Sequence, residues 1–243
     1  MSDWLAPQPL DGPYTDENAA CRALVDNLVR RDGPPEAEVD RLTYSCGSDP
    51  GHTVVKMKTA AALAAPFLGA LPIVVLRRGG AVPADSCTLA LRKTDGWWLI
   101  GSDAFVCQGP VGTGHDFEGI EVDEISVVPL FPDRPRVLRY RYSRVEYLLS
   151  QAPGPGGRGR QEHRARRRQG FVMFCGLGAS GRPSCTPPIP ERFAPWSSKP
   201  VTLRFTTRPG GRLVISGPRQ QQPDDLDDEE WARLLGEHLI QFP

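Results

Sequence analysis

Six cysteines, one run of arginines and four histidines are the residues of this sequence whose types and spacing could do chemistry. Cysteines can close disulfides, hold a metal or act as nucleophiles, and spacing decides among these roles. Cys87 opens an apolar run that reaches Thr94-Asp95-Gly96 and continues into Trp97-Trp98-Leu99-Ile100. Asp-Gly between two apolar runs is a hairpin signal, because glycine supplies the backbone angles of a tight turn. Folding that hairpin carries Cys107 back towards Cys87. The construction recurs where Phe171–Cys175 runs into a glycine-rich turn and then Cys185. Cys21 and Cys46 remain for each other, which would tie a helical segment to the loop after it. The expected pairs are therefore 21–46, 87–107 and 175–185. Buried free thiols are the alternative. No Cys-x-x-Cys and no cysteine–histidine cluster is present, so the reading assigns no metal site.

The arginines concentrate between Ala152 and Gln169. After Pro153-Gly154-Pro155-Gly156-Gly157 come Arg158, Arg160, Arg164, Arg166, Arg167 and Arg168, with Glu162 the single acid and no large apolar side chain. Such a segment buries too little surface to offset its ordering entropy, so residues 152–169 are expected as a mobile basic loop. Guanidinium groups at this density could meet phosphate, lipid headgroups, acidic polysaccharide or an acidic protein. No aromatic residue interleaves them, so base stacking is not provided locally.

Other chemistry finds less support. His52, His115, His163 and His238 fall in unrelated segments, and neither Gly-x-Ser-x-Gly nor His-Glu-x-x-His occurs. The glycine-rich stretch Gln108–Gly119 has no lysine and leads into a strand pattern, unlike a phosphate loop. Asp116, Glu118, Asp123 and Glu124 match no calcium-loop spacing. The sequence thus assigns no catalytic residue, no cofactor and no metal. An enzyme whose groups gather from distant strands would leave no such signature.

The elements that position these residues read as mostly β. Leu138, Tyr140 and Tyr142 alternate with Arg139 and Arg141, and Val201, Leu203 and Phe205 alternate with Thr202, Arg204 and Thr206, as in strands with one buried and one wet face. Ile120 with Val122, and Ile125 with Val127, mark another strand. Thr53–Ala62 and Leu71–Arg77 are expected as buried strands; prolines and a glycine interrupt the uncharged run from Ala60 to Leu76, which is short for a membrane helix. Ala19, Ala20, Ala23, Leu24 and Leu28 recur at helical spacing behind Thr15 or Asp16 as N-cap, up to a stop at Asp32-Gly33-Pro34-Pro35. Acids at 224–230 followed by Trp231, Leu234, Leu235, His238 and Leu239 predict a short amphipathic C-terminal helix.

The fold class is α+β, mostly β: an antiparallel sheet or sandwich of about eight strands, disulfide-stapled, with an N-terminal and a short C-terminal helix. Residues 1–13 form an extended arm, 14–217 a single domain, and 218–243 a linker and helix. The chain has 243 residues, with 29 basic and 29 acidic side chains. That balance argues against a dedicated nucleic-acid protein, although not against a local basic patch. Only Lys56, Lys58, Lys93 and Lys199 are lysines; the other basic residues are arginines. This general plan is similar to that of secreted proteins and lipoproteins of GC-rich bacteria, a likeness of architecture that brings no catalytic motif.

Disulfides imply an oxidising compartment: periplasm, cell surface or secreted space. The start Met1-Ser2-Asp3-Trp4-Leu5-Ala6-Pro7 lacks the basic and apolar regions of a signal peptide, so the expectation is a signal already removed, or a cytoplasmic location if the thiols are free. The functional expectation is a non-catalytic extracytoplasmic binding or structural module, a subunit of a surface or secreted assembly. A polyanion binder working through the arginines is the alternative. Its partners would be another protein, further copies of itself or a polyanion, and the chain carries no transmembrane segment. Trp4, Trp231, Leu234 and Leu235 are expected to contact either the chain's own domain or a neighbour.

Overall fold

The computed structural model describes residues 5–16, 19–20, 23, 52–56, 72–77, 85–107, 117–152, 160–194, 199–223 and 226–243. Their strands are, in chain order, β1 (Gln8–Pro9), β2 (Asp11–Tyr14), β3 (His52–Lys56), β4 (Pro72–Arg77), β5 (Asp85–Lys93), β6 (Gly96–Cys107), β7 (Phe117–Val128), β8 (Val137–Ala152), β9 (Arg160–Leu177), β10 (Pro183–Cys185), β11 (Ile189–Phe193), β12 (Val201–Thr202), β13 (Arg204–Arg208), β14 (Arg212–Ser216) and β15 (Gly236–Leu239). A helix near the C-terminus, α1, spans Asp228–Leu234. The expectation of a mostly β chain with antiparallel pairing holds.

The larger sheet runs β1-β10-β9-β8-β7-β6-β5-β4-β3, with β11 and β12 attached beside β9 and β2 beside β6. Its pairs are antiparallel except for a parallel bridge between Cys107 of β6 and Ile120 of β7. The Thr94-Asp95 turn joins β5 to β6 as the sequence suggested, and Trp98 Nε1 donates to Asp95 Oδ1 at 3.2 Å. The smaller sheet is β13-β14-β15.

Alternation along β8 and β9 places a separate core on each face of the central strands. Leu138, Tyr140 and Tyr142 of β8 pack with Phe171, Met173 and Cys175 of β9, together with Leu10 and Trp98. The Tyr142 ring stacks on Tyr140 at 5.2 Å and on Phe171 at 5.3 Å. Val137, Val172 and Phe174 point the other way, into a second core with Ile189, Phe193, Leu213 and Ile215. The face expected to be wet is therefore covered over much of its length. Even there Ser143 and Val145 are buried, and Arg139 and Arg141 are half-buried.

The N-terminal arm is extended and pairs with the sheet: β1 pairs with β10, β2 pairs with β6, and Leu5 and Leu10 are buried. Apolar side chains spaced along the arm can reach the sheet, and its backbone finds partners on an edge. Asp16 caps a helical turn, accepting from Ala19 N at 2.8 Å on its carboxylate and from Ala20 N at 3.1 Å on its carbonyl. Ala23 is helical as well, and the remaining residues of the helix expected up to Arg31 lie outside the described ones.

At the other end α1 is shorter than the expected amphipathic helix. Asp227 and Glu230 form a reciprocal capping box at its start. It stops at Leu235, and Gly236, with φ +142°, turns the chain into β15. That angle is one only glycine adopts without strain, so the periodicity through His238 and Leu239 continues as a strand rather than a helix. The tail then lies against β9. A Cβ on Gly178 would collide with the Pro243 carbonyl, and one on Gly176 with the Phe242 ring.

Candidate functional site

A dense group of charged side chains with described positions lies on the second-core face of β7, β8 and β9, where two bulges in the ladders set carboxylates beside arginines. The β7–β8 register shifts between Val122 and Glu124, leaving Asp123 as an extra residue. The β11–β9 register shifts between Pro190 and Arg192, leaving Glu191 as another. An extra residue re-aims the side chains around it, and here it brings Asp123 and Glu124 to one face. Glu124 lies opposite Arg141 in the ladder, and Arg139, Arg141 and Ser143 follow at alternate positions.

The contacts form two adjacent groups, one around Glu124 and one around Asp123. Arg139 Nη2 donates to Glu124 Oε1 at 2.6 Å, and Arg141 Nη1 to Glu124 Oε2 at 3.3 Å. Arg141 also donates to Glu191 Oε2 through Nε at 2.8 Å and Nη2 at 2.7 Å. The Ser143 hydroxyl donates to Asp123 Oδ2 at 2.6 Å, and Arg168 Nη1 lies 3.4 Å from Asp123 Oδ1. The Arg139 guanidinium, bonded to it directly, holds the Glu124 carboxyl below its usual range despite burial. Burial works against the Arg141 charge, but the hydrogen bonds it donates to Glu191 and Glu124 outweigh it and raise the guanidinium further. Three carboxylates and three guanidiniums are thus paired, although Arg139 Nε is buried without an acceptor among the described residues. Chemically, this locks β7, β8, β9 and β11 together, and both shifted groups move away from the neutral range that proton transfer needs. Behind it, on the first-core face, burial pushes the Tyr140 phenol well above the ordinary tyrosine range.

The structure sorts the residues singled out in the sequence. Cys175 and Cys185 form a disulfide across directly opposed positions of β9 and β10, with Cα atoms 4.0 Å apart. The backbone ladder sets Cys87 opposite Phe105 and Cys107 opposite Asp85, two positions apart. Cys21, Cys46, Trp4 and Arg158 lie outside the described residues. Arg160, Arg164, Arg166, Arg167 and Arg168 belong to β9, which corrects the expectation of a loop through 169. Cross-strand pairing with β8, from Ala152↔Arg160 onwards, supplies the order that composition alone did not suggest. Arg167 and Arg168 are tied to the body, since Arg167 Nε donates to the Ala194 carbonyl at 3.2 Å and Arg168 meets Asp123.

Of the two destinations open to the C-terminal side chains, the chain's own domain takes Trp231 and Leu234. Both are buried in the second core, where Trp231 meets Phe193 edge-on at 5.6 Å, and Leu235 is half-buried against the same core. Among the described residues no cluster of metal-ligating side chains occurs, and Asp123 and Glu124 are engaged by arginines.

The sequence reading missed the network itself. Its signal was present in β7: apolar residues fall on even positions at Ile120 and Val122 but on odd ones at Ile125 and Val127. One inserted residue is the simplest cause of such a phase change, and it coincides with the adjacent acids Asp123 and Glu124. No family model, no curated protein and no solved structure matches this chain. Among the described residues no helix is long and apolar enough to cross a membrane.

Proposed function

We propose that this protein is a non-catalytic binding or structural module of an extracytoplasmic assembly. The observation that carries the reading is the length of the β8–β9 ribbon. β7 accompanies β8 as far as Tyr147, and from Leu148 to Ala152 the ladder continues on β9 alone among the described residues. A two-stranded ribbon is marginally stable in water by itself, so an extension of this kind suits a contact with something else. The mutual pairing of the half-buried charges favours a scaffold over a reaction centre. The Cys175–Cys185 disulfide is compatible with an oxidising compartment. The pairs 21–46 and 87–107, the N-terminal helix and a sandwich arrangement belong to the same reading.

Light scattering on the full chain over a range of concentrations, with native mass spectrometry of protein from its own source, tests the assembly role. We expect a species larger than the 26.7 kDa chain. A lone monomer in both measurements would remove it. Maleimide labelling without reduction tests the compartment, and six reactive thiols would reject it.

One observation favours a second reading, binding of a polyanion. Arg160, Arg164 and Arg166 lie within seven consecutive residues of one strand. Retention on immobilised heparin that falls steeply with salt is expected under that reading.

A further inference from the structure

The outer side of β9 changes character along its length. From Gly170 to Val172 it is paired with β11, and from Cys175 to Leu177 with β10. From Arg160 to Ala165 its only strand partner among the described residues is β8, on the other side. At Arg166 the β8–β9 register shifts, and beyond it Arg167 is engaged by Ala194. Among the described residues β9 therefore has a six-residue stretch with no strand on its outer side, Arg160-Gln161-Glu162-His163-Arg164-Ala165, between the ribbon tip and the register shift at Arg166. β10 and β11 show that this side of β9 accepts short antiparallel strands.

We propose that Arg160–Ala165 of β9 is a docking edge for an extended, acidic polypeptide segment of a partner protein. This rests on the binding-module reading and names the site and the partner's chemistry. An edge strand offers backbone N–H and C=O groups in alternation, which an added peptide strand satisfies with its own. A polysaccharide or nucleic acid has no matching ladder, and no aromatic residue between Arg158 and Arg168 offers a base a stacking surface. Charge selects the partner: two arginines against one glutamate within the edge, with Arg166 beside it, favour acidic side chains and repel basic ones. The same arginines discourage a second copy from pairing edge to edge with itself, because like charges would then face one another.

The probe is a short fluorescent peptide of alternating threonine and glutamate, titrated against the full oxidised chain by anisotropy. Its counterpart carries N-methyl groups on alternate residues, which keep the charge and remove ladder donors. We expect saturable binding of the first peptide, about ten-fold weaker binding of the second, and slowed amide exchange confined to β9 near 160–165. The variant R160S/R164S is expected to weaken binding about ten-fold, and R160K/R164K to retain it. Equal binding of both peptides, or tighter binding of a heparin oligosaccharide with the same variant dependence, would overturn the strand-pairing proposal in favour of a general polyanion site. No binding would also overturn it, leaving the arginines as guards of the edge. Should the serine variant lose its far-ultraviolet signature, the comparison of the two peptides on the parent chain still decides. Assembly that persists in R160S/R164S would defeat this edge and leave the binding-module reading standing.

Discussion

Glu124 is the residue on which the charged face turns, because it accepts from Arg139 and Arg141 at once. Replacing it with glutamine leaves two half-buried guanidiniums without their shared anion. The loss is expected at about 1 kcal/mol, between the value of an exposed ion pair and that of a buried one. Thermal denaturation at neutral pH measures it. The pH dependence has a defined direction. The folded-state carboxyl titrates below its ordinary value of 4.5, so its contribution is complete above that pH and is lost as pH falls through the depressed folded value. Denaturant titrations on the acid side should therefore show a shallower decline in Glu124→Gln than in the parent. An unchanged acid limb would mean that the network contributes nothing measurable. Arg168 has a related, smaller role: its bond to Asp123 is long and half-exposed, so Arg168→Ser is expected to cost no more than about 1 kcal/mol.

At the scale of elements, the C-terminal helix and strand act as a lid on the second core. Trp231 and Leu234 point inward from one turn of α1, and Ile240 follows from beyond β15. Trp231→Ala is expected to destabilise the chain by about 3–5 kcal/mol, the range for truncating a large buried aromatic. Trp231→Phe should cost less, because the indole N–H is buried without an acceptor among the described residues. Equal melting temperatures for Trp231→Ala and the parent would contradict this packing. Gly236→Ala, which meets no neighbour but forces φ +142° on alanine, is expected to cost about 1–2 kcal/mol.

These elements also show what the sequence made legible. Two-residue periodicity located β8 and the β12–β13 segment, and Asp95-Gly96 located the β5–β6 turn, because those signals are local. The composition of 152–169 misled, since an arginine strand can be ordered by a partner strand that composition does not reveal. The helical periodicity from Trp231 to Leu239 broke at Gly236, where tertiary pairing with β14 overrode it. The charged network joins β7 to β11 across nearly seventy residues, so no local spacing could announce it.

At the scale of the whole molecule, the Cys175–Cys185 disulfide closes a short loop between neighbouring strands. Replacing both cysteines with alanine is expected to cost about 2–4 kcal/mol while the β9–β10 pairing persists. Chemical denaturation gives the first value and amide exchange tests the second. Peptide mapping without reduction is expected to recover 175–185 as one linked species, and its absence from natively sourced protein would reject the bond.

The pairing of β1 with β10 has a consequence for how the molecule comes into being. Leu10 is bonded at its carbonyl by Arg182, and at its amide to the Pro183 carbonyl, across most of the chain. As the polypeptide emerges from its N-terminus, Gln8–Leu10 has no strand to join until Pro183–Cys185 has been made. Contacts so distant along the sequence are slow to form, since a large loop must close before any stabilisation is gained. The hairpins of β5 with β6 and of β9 with β10 can assemble early, each from neighbouring residues. The N-terminal strand then closes the structure late, and until it does, the edge of β10 stays open to other chains.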